Sequence, residues 1–187
     1  MKKFIAIVVI LAVIVGLGIY FANQSSKPAV LNDFSAVPND TQLMNNMKKA
    51  GLDQLATEGT VLHIHQHLDI IVNGQSITIP AGIGIGSTFI SPLHIHDTSN
   101  ILHVESPVQK DFTLGQFFDE WGVDFNNNCI ATNCADDTHK LVMFVNGNPV
   151  TDLRGYVLKS HDEIYIWYGP KDQNPDVIKS YNFPEGY

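Results

Sequence analysis

The chain has 187 residues, of which 44% are hydrophobic and 16% charged, so it is long and apolar enough to bury a sizeable core and does not read as intrinsically disordered. Its formal net charge is -8, with 19 acidic residues against 11 basic ones. A surface of that sign argues against nucleic acid as a partner and in favour of cations.

Met1-Lys2-Lys3 is followed by 19 uncharged residues, Phe4 to Ala22. As a helix they would be roughly 28 Å long, near the thickness of a bilayer core. A cleaved signal peptide is the competing reading, but Tyr20 stands where a small residue is wanted before the cut. An uncleaved anchor over residues 1 to 22 is therefore expected, with Lys2 and Lys3 inside and the rest of the chain outside the cytoplasm. Residues 23 to 40 read as a tether, and residues 41 to 187 as a single extracytoplasmic domain.

Thr41 to Ala50 reads as an amphipathic helix with Leu43, Met44, Met47 and Ala50 on one stripe and Gly51 as its stop. Met44 and Met47 are soft donors in principle, but their helical spacing assigns them to the core. Val61 to Val72 then reads as a strand: Leu62, Ile64, Leu68, Ile70 and Val72 recur at alternate positions, which puts His63, His65, His67 and Asp69 on the opposite face. Asn73-Gly74 is a hairpin turn that returns the chain as Gln75 to Ile79. The glycines of Pro80 to Gly86 lack the Lys-Ser/Thr ending of a phosphate loop and predict only a tight, backbone-close loop.

Asp97 to Asn100 is turn-rich and separates two alternating stretches, so a second hairpin is expected in which His96 faces Ile101 and His94 faces His103. That register gathers His94, His96, His103 and Glu105 on one face. The clearest helix opens at Thr113, where Thr113 and Gln116 form a capping box. Leu114, Phe117, Phe118 and Trp121 follow at helical spacing, and Gly122 ends it. Asp119 and Glu120 are expected on its solvated side.

Cys129 and Cys134 are expected to form a disulfide in an oxidising compartment, closing a small loop worth only roughly 2 kcal/mol in chain entropy. Leu141 to Val145, the Asn146-Gly147 turn and Val150 make a further hairpin, and Glu163 to Tyr168 a last strand. His161 falls in a turn and His139 at a strand entrance, where local structural roles are expected. Tyr181 to Pro184 is aromatic enough to dock on the domain.

Six of the 8 histidines, His63, His65, His67, His94, His96 and His103, thus fall in one region. The expectation is a transition-metal site on strands, with copper favoured over zinc and Asp69, Asp97 and Glu105 as further ligands or supporting groups. Binding, storage or delivery of the ion is the leading reading. Two alternatives stand beside it: a metal-dependent enzyme with an open coordination position, and an acid-responsive or adhesive envelope domain without a dedicated metal.

The fold class expected is α+β and strand-rich. From Leu93 to Tyr168 the order of hairpin, helix, hairpin and final strand resembles a β-grasp (ubiquitin-like) arrangement; the Gly-Gly ending of the sulfur carriers with that fold is missing. The segments His63 to Asp69 (HIHQHLD), Ile79 to Ile85, Leu93 to Asp97 (LHIHD), His103 to Ser106 (HVES) and Phe112 to Phe118 (FTLGQFF) resemble a group of mostly uncharacterised membrane-anchored envelope proteins of bacteria and archaea. That resemblance implies no activity.

Overall fold

The computed structural model describes residues 34–187, so the expected membrane span and most of the expected tether lie outside the described residues. Among the described residues no helix is long and apolar enough to cross a membrane. The architecture of the described residues is mixed and strand-rich, with nine strands and two helices among them.

Helix α1 (Asp40–Ala50) begins one residue earlier than the apolar stripe suggests. Asn39 caps it, accepting from the Gln42 backbone at 3.1 Å while the Gln42 side chain accepts from the Asn39 backbone at 3.0 Å. Helix α2 (Leu114–Trp121) carries the expected Thr113/Gln116 box and ends at Gly122, whose φ of 84° is left-handed. The Gln116 side chain donates to the Ala50 carbonyl at 3.0 Å and the Asn46 side chain to the Glu120 carbonyl at 3.1 Å, tying the helices together. Trp121 donates from its indole to the Ala36 carbonyl and meets the Phe34 ring, so the residues just before α1 are held against α2.

Seven strands make the main sheet, in the order β3-β4-β1-β9-β7-β8, with β2 paired to one end of β1. These are β1 (Leu62–Val72), β2 (Gln75–Ile77), β3 (Leu93–His94), β4 (Ile101–Ser106), β7 (His139–Val145), β8 (Asn148–Val150) and β9 (Asp162–Pro170). β1 lies in the interior, antiparallel to β4 and parallel to β9. On one face Leu68, Ile70, Leu102, Val104, Ile164, Ile166 and Met143 join Met47, Phe117, Phe118 and Trp121 in a continuous core. Burial of this apolar surface, at about 25 cal/mol per Å², is the main term holding the helices to the sheet.

The histidine-bearing residues of β1 point to the other face. β5 (Cys129–Ile130) and β6 (Asn133–Cys134) form a separate two-stranded ribbon closed by the expected Cys129–Cys134 disulfide.

Four expectations need correction. Met44, placed in the core by its helical spacing, is exposed on α1, whereas Met47 is fully buried. β2 stops at Ile77 because the Ile79 backbone donates to the Asn100 side chain at 2.9 Å and leaves the ladder. β3 stops at His94, so His96 does not face Ile101: Ile95 instead donates to the Ile83 carbonyl and accepts from the Gly82 backbone, pairing with the glycine loop. Glu120 is not on a solvated helix face. It is fully buried and accepts from the Ser91 hydroxyl at 2.5 Å, and burial pushes its carboxyl well above the usual range. Its neighbour Asp119 does reach outward, to Arg154.

The glycine loop is held to this course by backbone contact. At Gly84, φ is 77° and an added Cβ would lie 2.2 Å from the Leu93 carbonyl oxygen; at Gly74, φ is 79° but the space is open. Gly74→Ala is expected to cost about 1 kcal/mol, the ordinary left-handed penalty. Gly84→Ala should cost at least about twice that and shift β3, read by urea unfolding of both variants side by side.

Candidate metal centre

Strand register alone lines up the imidazoles. His65 of β1 lies opposite His103 of β4, and His103 lies opposite His94 of β3, so three histidines form one row across three strands. In the next row His63 faces Glu105. His96, beyond the end of β3, folds back so that its ring centroid is 4.7 Å from His94 and 4.5 Å from His103. His65, His94 and His103 are buried and form the floor; the His63 and His96 side chains, 50% and 40% exposed, form a rim.

The nitrogens converge in two pairs. His63 Nε2 and His65 Nε2 are 3.2 Å apart, as are His94 Nε2 and His96 Nε2. Two nitrogens bound to one tetrahedral ion at about 2.0 Å would be separated by about 3.3 Å. Glu105 sits between the pairs: Oε1 is 3.3 Å from His63 Nε2, 3.7 Å from His94 Nε2 and 3.0 Å from His103 Nδ1. Two four-residue groups result, His63/His65/His103/Glu105 and His94/His96/His103/Glu105, each with ligand atoms within 4.8 Å of one another. These buried His/Glu groups can hold a metal ion.

The outer hydrogen bonds set the tautomers. His94 Nδ1 lies 3.0 Å from the Ser91 carbonyl, which can only accept, so the proton sits on Nδ1 and the Nε2 lone pair is free. His103 Nδ1 faces the Glu105 carboxylate at 3.0 Å in the same way. Such carboxylate and carbonyl partners orient a metal-binding imidazole and raise its basicity toward the ion.

Electrostatics keep these rings neutral. Burial, reinforced by the neighbouring imidazoles, lowers His65 and His94 to about 4 and His103 to about 3. Glu105 is pushed up from the usual carboxylate range by burial first and then by Glu58. Neutral imidazoles are the form that a transition ion needs, because metal and proton compete for the same lone pair.

The other sequence candidates sit elsewhere. His67 and Asp69 lie further along β1, where His67 meets Glu163 of β9 and stacks on Tyr181. Asp97 is turned into its own loop, accepting from the Ser99 backbone at 2.8 Å; bonds from Ser99 hold it below its ordinary range, and it joins neither histidine group. His139 bonds Thr138 and stacks on Tyr168, while His161, at φ 61°, reaches the Tyr187 main-chain oxygen at 2.9 Å. His161 lies in the turn expected and His139 at the strand entrance expected, although the His161 ring reaches the far end of the chain. Glu58 was not visible in advance: its Oε1 lies 3.4 Å from His96 Nε2, yet it belongs to a loop with no periodicity to point it there.

The buried histidines carry a pH signature. Each binds a proton near pH 6.5 when unfolded but only near 3 to 4 when folded, so its contribution is intact above about 6.5 and lost as the pH falls toward the folded value. His103→Gln should therefore flatten the acid-side slope of metal-free stability by up to about 1.4 kcal/mol per pH unit between about 6.5 and 3. Urea unfolding at a series of pH values would measure it, and equal slopes in the two chains would refute the burial argument.

Comparison of the chain with protein-family models, with curated proteins and with solved structures gives no match. The functional reading therefore rests on the residues and their geometry.

Proposed function

We propose that the chain is an extracytoplasmic metal-binding protein, held at the membrane by its N-terminal segment, that takes a transition ion into the Glu105-centred histidine cluster for binding, storage or delivery. The observation that carries this reading is the pair of 3.2 Å Nε2 contacts joined through His103 and Glu105. An imidazole-rich site with no free thiol favours copper, because affinity at nitrogen donors peaks there, with zinc next. The half-exposed rim of His63 and His96 over a buried floor suits an ion that must enter and leave, in contrast to a sealed structural site.

Two finer readings belong to the same proposal. The likeness to membrane-anchored envelope proteins agrees with an outward-facing domain and a closed disulfide. The strand order β4-β1-β9-β7-β8, with α2 between β4 and β7 and the first and last strands parallel in the centre, supports a β-grasp arrangement. On that reading the grasp starts with β1, so its first strand lies upstream of Leu93 and its second is β4.

The deciding experiment is elemental analysis of the untagged chain made in an oxidising compartment, with competition among Cu(II), Zn(II) and Ni(II). Stoichiometric copper that survives a competing chelator is the expected result. His65→Ala and His94→Ala should each weaken binding at least about tenfold, whereas His139→Ala should leave it unchanged. Substoichiometric, easily stripped metal would sink the proposal and leave an acid-responsive histidine face as the better account.

A further inference from the structure

Further along the same face, β1 and β9 run parallel with His67 opposite Glu163, and Asp69 stands two residues beyond His67. His67 Nδ1 is 2.9 Å from Glu163 Oε2 and 3.8 Å from Asp69 Oδ2. All three side chains are largely withdrawn from water, at 9%, 0% and 14% exposure in the order His67, Glu163, Asp69. Their ligand atoms lie within 4.8 Å of one another.

A hydrogen-bonded histidine-carboxylate pair accounts for only part of this. Glu163 Oε1 is buried and has no hydrogen-bond partner, although a carboxylate there has lone pairs to satisfy. Asp69 brings a second negative charge to the same place, which adds to the burial that already raises the Glu163 carboxyl. A divalent cation answers both problems: it takes the orphaned oxygen as a ligand and neutralises the two carboxylates together. The Tyr181 ring lies flat on His67, with centroids 3.8 Å apart and planes 3° apart, fixing the imidazole in place.

We propose that His67, Asp69 and Glu163 form a second cation site, separate from the Glu105-centred cluster, for a divalent ion that prefers oxygen donors, of the Mn(II) type. Its donor set, one imidazole and two carboxylates, differs from the imidazole-rich cluster in the sense that separates Mn(II) from Cu(II). The site stands whether or not the histidine cluster is loaded.

The test is Mn(II) titration of the full chain followed by loss of the free-ion EPR signal. Native protein and His65→Ala/His94→Ala protein should each take up one Mn(II). Glu163→Gln and Asp69→Asn should bind it at least about tenfold more weakly while keeping native Cu(II) uptake at the cluster. Asp69→Asn carries the test if Glu163→Gln does not fold, as judged by circular dichroism. Mn(II) affinity unchanged in the carboxylate variants, or lost in the His65→Ala/His94→Ala chain instead, would overturn the second site. Failure of Cu(II) uptake with Mn(II) behaviour as expected would count against the histidine cluster alone.

Discussion

The interior position of β1 is the constraint on which the rest of the molecule depends. A strand paired on both sides presents two faces, and its side chains must alternate between them. One set, Leu62, Ile64, Leu68 and Ile70, goes to the helix-covered core. The other, His63, His65, His67 and Asp69, goes to a face that β4, β3 and β9 supply with Glu105, His103, His94 and Glu163. A shift of one residue in the pairing would send the histidines into the core and the aliphatic side chains to the polar face. The hydrophobic core thus fixes the register, and the register places the ligands.

The floor of the cluster has an energetic logic of its own. Burying imidazoles side by side is unfavourable for their charged forms, and the structure responds by keeping them neutral instead of pairing each with an acid. Hydrogen bonds from Nδ1 to the Ser91 carbonyl and to Glu105 then leave Nε2 of His94 and of His103 as the lone-pair donors. A neutral pair such as His94 and His96 shares one N–H···N hydrogen bond at 3.2 Å, and an ion bound there would replace that shared proton.

Much of this was legible in the sequence, because it follows from alternation and turn length. The period of two in β1 and the four-residue turn before Ile101 were enough to align His94 with His103, and the capping boxes and Asn-Gly turns marked the helices and hairpins. What stayed hidden depended on partners distant in the chain. Ile95 pairs with Ile83 and Gly82 in place of β4, Glu58 arrives from a loop, and Glu163 meets His67 only because β9 runs parallel to β1. Glu120 was read from helix periodicity, which puts a polar residue outside, whereas Ser91 offers it a partner within. Local patterns contain no term for such long-range contacts.

Ser91 joins two layers of the molecule. Its hydroxyl donates to Glu120 on the helix at 2.5 Å and accepts from the Leu93 backbone at 3.2 Å, while its carbonyl fixes the tautomer of His94. A helix residue in the core and a ligand candidate on the opposite face are thus held by one small side chain and its own peptide group. The evolutionary consequence is a restriction on drift: positions 91 and 120, joined through their side chains, should substitute together, whereas the main-chain bond to His94 survives a change of side chain at 91. Among diverged copies of this chain, covariation of 91 with 120 would be the trace left by that buried hydroxyl–carboxyl pair.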